Sequence, residues 1–484
     1  MKKNTAQLTF SLATLLLASF AASAQTVAPP PQAPPSAYDA WEDSMKTPLD
    51  WLSWGADFRA RNEYLNNAIT LTPNAALSEQ DLFRFRARLW TTVTPLTNVS
   101  FFGRISAEPR EWMKPAFGGI YKGKEGLEWR YGIADSLNVK MTELFNQPVT
   151  LTVGRQDIMM GDFYDWWLVA DGTPVDGSWT AYIDSARLTY EAKQISTKFD
   201  LMYLNQTAQP GERIPTIGTS TGYFVTEQNE QGVIVYASNK SIENMTLDGY
   251  FMYKGDEQVA RNGDNADIYT LGAKITGTPA AHWQYSVEGA YQFGQKQDTN
   301  VVPVSTAWRD ISAYGGKAKL TYLTKDRLNN QFSLMGEFLS GDDPSTTGQD
   351  EMFDLLWGRW PRWSELYIYS YINETGGKVA QMNNLGRIGP GWTIAPMKGM
   401  TFGATYNALF AQQNTPTRAT KDAVDNNLFS KNGHFRGHFL QTVLKHEFNK
   451  HIKAHLWAEF VWEGNYYAQS ETMTFLRGEV MFTF

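Results

Sequence analysis

From about residue 52 to its last residue, the chain alternates apolar and polar side chains with a period of two. This pattern builds strands with one greasy and one wet face. Trp54, Ala56, Phe58, Ala60 and Tyr64 alternate with Asp57, Arg59, Arg61 and Glu63. Phe83, Phe85, Ala87 and Leu89 alternate with Arg84, Arg86 and Arg88, and Val99, Phe101 and Ile105 with Ser100, Arg104 and Glu108. Eighteen such segments begin near residues 52, 82, 98, 130, 148, 180, 195, 230, 244, 267, 282, 309, 330, 384, 400, 436, 451 and 472. The last, "TFLRGEVMFTF", stops on Phe484, although chain ends are usually frayed and polar.

The gaps between segments sort by parity. After odd-numbered segments they are mostly long, as in "NAITLTPNAALSEQ", "EWMKPAFGGIYKGKEG" and the run from Gly341 to about Asn383. After even-numbered ones they are short: "TPLTN", "NQP", "TKDRLN", "NKH". A soluble all-β protein with one solvated face has no reason to sort its connections this way. A transmembrane antiparallel β-barrel does, with short periplasmic turns and long extracellular loops. In lipid every backbone polar group must be paired, so the sheet must close. The last strand then pairs with the first and cannot fray. The terminal aromatic also resembles the C-terminal assembly signature of bacterial outer-membrane proteins, which implies handling by the barrel-assembly machinery.

The N-terminus reads as a secretory signal over residues 1–24. Lys2 and Lys3 precede an apolar core, and Ala22-Ser23-Ala24 is an A-x-A cleavage site. Its removal takes two lysines and no acids, so the formal net charge moves from −7 to −9. Residues 25–50 form a Pro-rich periplasmic segment in which "VAPPPQAPPSAY" reads as an extended tether. Residues 51–484 form the barrel. Cysteine is absent, so no disulfide supports the fold. An aromatic content of 14% beside a negative mean hydropathy suits a sheet with one apolar face. No nucleic-acid partner and no cofactor is expected.

The inward face of the first three segments carries Arg59, Arg61, Arg84, Arg86, Arg88 and Arg104, with Asp57, Glu63 and Glu108. Arginines at i and i+2 lie about 7 Å apart on a strand and cannot neutralise one another. Either they leave a positive field that selects solutes by sign, or carboxylates pair with them and stiffen the wall. Both can hold, with positive charge on one wall and acids opposite. Arg187, Lys453 and Glu459 are further pore-lining candidates. Acids of the long outer connections, such as Asp342, Asp343, Asp350, Glu351 and Asp354, are expected to be solvated or to bridge to lipopolysaccharide through divalent ions. No EF-hand spacing is present.

The stretch "FDLLWGRWPRWSELYIYSYINETGG" holds Trp357, Trp360 and Trp363 with Arg359 and Arg362. Such rings can hold sugars. They also fit an interfacial aromatic girdle or a loop folded into the barrel mouth. His451, His455 and Glu459 share a face, but residues i and i+4 of a strand stand about 13 Å apart, too far for one metal. There is no H-E-x-x-H or G-x-S-x-G motif, which argues against an enzyme.

"LTVGRQDIMMGD" with "WTAYIDSARLTY", "GEFLSGDD", "FDLLWGRWPRWSELYIYS" and the closing "AEFVWEGNYYAQSETMTFLRGEVMFTF" resemble the alginate-export family of outer-membrane porins over roughly residues 51–484. The resemblance implies an 18-stranded barrel with an arginine-rich pore for an anionic polysaccharide. It carries over to Arg155 and Asp184 through "GRQ" and the Asp of the next strand, and to Arg477 through "FLRGE". Arg155 shares parity with Val149, Leu151 and Val153, so alternation points it at lipid unless Gly154 forms a bulge that turns it inward. The very short "EFNKHIKAH" connection leaves no room for a large periplasmic plug there. An anionic solute channel, a general porin of low selectivity and, less favoured, a barrel-embedded enzyme are the functions in play. Outer-membrane lipid and lipopolysaccharide are the surroundings the fold implies.

Overall fold

The computed structural model describes residues 37–484 except 73–74, 161–181, 220–221, 261–262, 298–306, 359–361, 379–382, 415–426 and 470. Residues 1–24, read above as a secretory signal, and most of the Pro-rich run lie outside the described residues.

Eighteen long strands form one antiparallel barrel. In chain order they are β1 Leu52–Asn66, β2 Glu79–Leu96, β3 Val99–Ala107, β4 Gly132–Met141, β5 Val149–Gln156 and β6 Ile183–Ala192. Next come β7 Thr197–Gln206, β8 Gln228–Asn239, β9 Met245–Gln258, β10 Asn265–Ala280, β11 Trp283–Gln297 and β12 Arg309–Leu323. Then follow β13 Gln331–Leu339, β14 Leu385–Met397, β15 Met400–Phe410, β16 Phe435–Glu447, β17 Ile452–Glu463 and β18 Thr472–Thr483. Three short pieces, Arg110–Trp112, Gly126–Glu128 and Gln349–Asp350, extend the sheet from the outer connections. Each strand begins within three residues of its expected position. The parity also holds: residues 97–98, 193–196, 281–282, 398–399 and 448–451 are tight turns, whereas residues 108–131 and 340–384 are long connections.

The barrel closes between β1 and β18, in register from Asp57↔Thr483 to Asn66↔Thr474. Beyond the strand, the Phe484 and Ala56 backbones bond each other, Phe484 N–H donating at 2.8 Å. The Phe484 ring packs on Trp54 at 5.1 Å, on the side that carries Phe58 and Phe482. The terminal aromatic thus completes the closing seam from outside the lumen.

Large apolar side chains are exposed all round the outer wall, among them Phe58, Leu89, Phe101, Leu137, Leu201, Leu271, Val287, Leu334 and Phe482. Such a continuous band on a soluble monomer would be a binding or aggregation surface. On a closed barrel it is the lipid-facing belt. Among the described residues no helix is long and apolar enough to cross a membrane; the strands are what span it.

Among the described residues two α-helices interrupt the β pattern: α1 Ala37–Lys46 and α2 Glu365–Thr375. Neither follows from period-two alternation. The first lies where an extended tether was expected to end. The second lies in the outer connection 340–384, which folds into the barrel.

Candidate channel lumen

Inward alternation gathers the arginines of the first strands against the acids of their neighbours. Arg59 donates to Glu108 at 3.0 Å and Arg61 to Glu479 at 2.6 Å. Arg84 joins Glu63 at 3.2 Å and also bonds Glu108. Arg88 donates to Asp57 at 2.8 Å, and Arg86 stands 3.9 Å from the same carboxylate. Arg477 donates to Glu63 at 2.7 Å and to Glu365 of α2 at 2.6 Å. The arginines thus lie on the inward side of the wall and are paired there with carboxylates.

Arg104 reaches across to Asp135 at 2.8 Å and Asp157 at 2.7 Å. Asp135 is the extra residue where the β3–β4 register slips between Arg104 and Ile105, and this bulge aims its carboxylate at Arg104. Arg155 faces inward despite its parity. Val153 is exposed to the outside, whereas Arg155 is buried. Gly154 between them adopts φ +121°, and a Cβ there would stand 2.3 Å from the Leu137 carbonyl oxygen. The pairing of β5 with β4 and β6 runs without a slip, so the reversal arises from the glycine backbone and not from the expected bulge. Arg155 then grips Asp184 with two bonds, of 2.8 and 3.2 Å, and lies over the Tyr182 ring at 3.5 Å. Arg187 donates to Asp200 at 2.8 Å.

The in-folded connection 340–384 crosses the lumen from one wall to the other. On the far wall, Phe353, Leu355, Leu356 and Trp357 pack on Met202, Ile234, Met252, Ile268 and Ile311. Trp357 lies against Gly232, where a Cβ would be 2.4 Å from the indole. Lys254 bonds Asp256 at 3.1 Å and lies 3.5 Å from Glu230 and 4.0 Å from Asp354. Arg309 holds Asp342 at 3.1 Å and Asp350 at 2.6 Å. The expectation of solvated loop acids is thus corrected for Asp342, Asp350 and Asp354, which are buried and paired with wall cations. Burial, followed by the Asp350 carboxylate, pushes Asp342 up to about 8, against the pull of Arg309. Asp343 stays outside this network, held below the usual carboxylate range by the Ser345 backbone N–H.

The other arm is α2, between a Ser364 N-cap, whose hydroxyl accepts from Tyr367 N–H, and Gly376 at φ +64°. Glu459 meets this helix start. Its carboxylate accepts from Ser364 Oγ at 2.7 Å, Leu366 N–H at 2.7 Å and Glu365 N–H at 3.2 Å. Gln441 and Trp457 donate to it at 2.7 Å each. A wall carboxylate at a helix N-terminus is favourably placed. Glu459 is therefore an anchor of the loop and is closed to a passing solute. Farther along, Arg436 grips Glu374 at 2.8 Å and Tyr369 donates to Glu63 at 3.2 Å. Sequence reasoning missed Arg436, Lys254 and Arg309. Arg436 is the extra residue at the Leu409/Phe410 register slip, which breaks the alternation that would have revealed it.

Trp357 and Trp363 belong to this in-folded loop, so neither sits in an interfacial girdle; Trp360 lies outside the described residues. Lys453 stands half-exposed near the 448–451 turn and pairs with Glu447 at 2.6 Å, which places it at the periplasmic rim. His455 faces Glu479 at 3.5 Å, and His451 sits in the turn, so these two histidines and Glu459 do separate work.

Among the described residues, two spaces lined partly by polar side chains lie toward the short-turn end of the barrel. One of about 520 Å³ is lined by Lys240, Thr246, Gln284, Lys319 and Thr321 among others. The other, about 400 Å³, is lined by Lys140, Gln156, Asp157, Arg187, Thr189 and Lys198 among others.

A closed 18-stranded barrel with a lipid-facing belt, a charged interior and an in-folded loop is an outer-membrane channel. The alginate-export family model matches residues 134–477, and the chain belongs to that family. The match begins within β4, so the arginines of β1 to β3 precede it. No curated protein sequence matches the chain significantly. Solved structures share the fold. A BenF-like porin from Pseudomonas fluorescens Pf-5 superposes with a TM-score of 0.54 at 8% identity, covering 90% of this chain and 99% of that one. OccAB2 of Acinetobacter baumannii gives 0.53 at 10% identity, covering 89% and 98%. OccAB1 of the same species gives 0.52 at 12%, covering 89% and 96%.

Proposed function

We propose that the channel passes an anionic sugar, oligosaccharide or polysaccharide. One observation carries this reading: in several wall pairs, water reaches the arginine more than the acid. Side-chain exposure is 17% for Arg88 against 4% for Asp57, and 21% for Arg187 against 0% for Asp200. Arg110 and Arg130 stand in the same relation to Glu108 and Glu128. The relation is reversed at Arg104–Asp157, Arg155–Asp184, Arg61–Glu479 and Arg477–Glu365, where the acid is the more open partner. At Arg88, Arg110, Arg130 and Arg187 a solute would therefore meet guanidinium groups whose counter-charges lie behind them. Guanidinium forks bind carboxylates in two-point fashion, and low-dielectric walls strengthen the field they project. Passage requires such contacts to be several and individually weak. The protein acts here as a conduit and not as an enzyme.

The test is block of single-channel current by a uronic-acid oligosaccharide against a neutral oligosaccharide of the same length. The anionic chain is expected to block at lower concentration and from a longer-lived bound state. Equal block by the two would favour a general porin.

A further inference from the structure

The first helix divides its surface three ways. Asp39, Glu42 and Lys46 occur at i, i+3 and i+7 and face the barrel. Lys450 of the 448–451 turn bonds both Asp39 and Glu42, reaching Glu42 at 2.6 Å, and His451 stands 3.2 Å from Glu42. Lys450 and Lys46 hold the Glu42 carboxyl below its usual range. One residue earlier, at the same spacing, Tyr38, Trp41 and Met45 are exposed by 55%, 50% and 42%. Ala40, Asp43 and Ser44 form a third, solvated side. Successive positions on a helix turn by about 100°, so the apolar stripe lies roughly at right angles to the side that grips the barrel.

The helix also sits outside the barrel, and does not lie beneath its opening. Trp54 Nε1 donates to the Met45 carbonyl at 2.7 Å, and Lys46 Nζ lies 5.1 Å from the centre of the Phe484 ring. Trp54 and Phe484 share parity with Phe58 and Phe482, both exposed on the lipid side. Leu49 and Trp51, also exposed, lead from the helix into that belt. The apolar stripe of α1 is therefore continuous with the established lipid-facing surface, at the end of the barrel that carries the short turns and the C-terminus.

We propose that α1 is an interfacial membrane anchor: Tyr38, Trp41 and Met45 enter the periplasmic leaflet of the outer membrane while the acidic side clamps the β16–β17 turn, beside the β1–β18 seam, through Lys450 and His451. A helix wedged between a barrel wall and a bilayer surface needs this arrangement, one side on protein, the next in lipid and the third in water. Tyr and Trp favour that depth because each has an apolar body and a polar tip. Amphipathic helices bind interfaces through such a stripe. The ion pairs to the turn fix the azimuth, so the stripe is presented to phospholipid without being free to roll.

The chain has no cysteine, so single labels can be placed without altering a native site. A nitroxide is attached to Trp41→Cys, Tyr38→Cys or Asp43→Cys in the full-length mature protein, folded in phosphatidylethanolamine–phosphatidylglycerol vesicles. Collision with oxygen, which concentrates in lipid, is compared with collision with a water-soluble nickel chelate. The ratio of oxygen to nickel access is expected to be several-fold higher at positions 38 and 41 than at 43. Equal ratios at all three would overturn the proposal, as would shielding of 38 and 41 from both quenchers, which marks a protein–protein contact. Using two apolar positions guards against one variant failing to fold.

Discussion

The seam wall and the wall opposite it handle charge in opposite ways. On the seam side, Arg59, Arg61, Arg84, Arg86, Arg88, Arg110 and Arg477 meet Asp57, Glu63, Glu108, Glu365 and Glu479, with Asp57 taking Arg86 and Arg88 and the glutamates taking the others. Across the barrel, at the level of the in-folded loop, Lys254, Lys296, Arg309 and Lys378 meet Glu230, Asp256, Asp264, Asp342, Asp350 and Asp354. Cations are the more numerous named partners on the first wall, and acids on the second. The loop explains the asymmetry. Its far arm brings its own aspartates to wall cations, while its helical arm brings a hydrogen-bond-donating N-terminus to the wall acid Glu459. Both arms bring acids to wall cations, the helical one through Glu365 to Arg477 and Glu374 to Arg436, and the helical arm alone adds donors for a wall acid; on the seam wall Arg88 and Arg110 are the arginines that stay open to water.

Separating the two arms by mutation breaks this comparison most sharply. Glu459→Ala leaves five donors of the helix start and the wall without their acceptor, a loss on the order of 5 kcal/mol from buried unsatisfied groups. The helical arm should leave the wall, and single-channel conductance should rise and become noisy while the folded barrel still resists detergent until heated. Unchanged conductance would mean that the packing of Leu366, Tyr367 and Tyr371, with the Arg436–Glu374 and Arg477–Glu365 pairs, holds α2 in place without Glu459.

The far arm should yield to a smaller insult. Gly232→Ala puts a methyl group 2.4 Å from both the Trp357 indole and the Tyr253 carbonyl oxygen of β9, an overpacking cost of about 1–3 kcal/mol. Displacement of Trp357 should shift its fluorescence. The effect on conductance should be weaker than that of Glu459→Ala, because Arg309 and Lys254 still hold the arm.

The weakest expected effect is a pH dependence confined to the far arm. Asp342 is raised above the ordinary carboxyl value by burial and by Asp350, so its folded form retains a proton that the unfolded chain has lost. Stability of this arm is therefore present at lower pH and lost as pH rises through about 8. Channel noise should increase over that window, and Asp342→Asn should flatten the trend. A trend that survives in Asp342→Asn would assign it to another group.

The barrel was legible from sequence because each strand contributes two independent signals, its alternation and the length of the gap that follows. The arginines of β2 were legible for the same reason. Arg155 was readable only through the family motif, since its facing is set by a glycine backbone angle that alternation does not encode. An in-folded loop was one of the readings open for residues 353–377, but its helix was not legible. Its helix is built from Tyr and Ile, which favour strands when judged alone, and it is stabilised by the walls around it. Ser364 and Gly376, which cap it, were the available signals. The loop aspartates looked solvated because their partners lie on strands distant in sequence. Local charge patterning cannot reveal an ion pair such as Lys254–Asp354, and the same holds for Glu459, whose donors come from a connection about ninety residues earlier.

The account rests on the arginines that water reaches. The most direct measurement is the reversal potential under a salt gradient, for the wild type and for Arg88 and Arg187 changed together to Gln. Gln keeps the polarity and removes the charge, and Asp57 and Asp200 keep Arg86 and Lys198 beside them. The wild type should prefer anions, and the double variant should move toward cation preference. A wild type that already prefers cations, or a potential that does not move in the variant, would contradict an arginine wall that selects by sign.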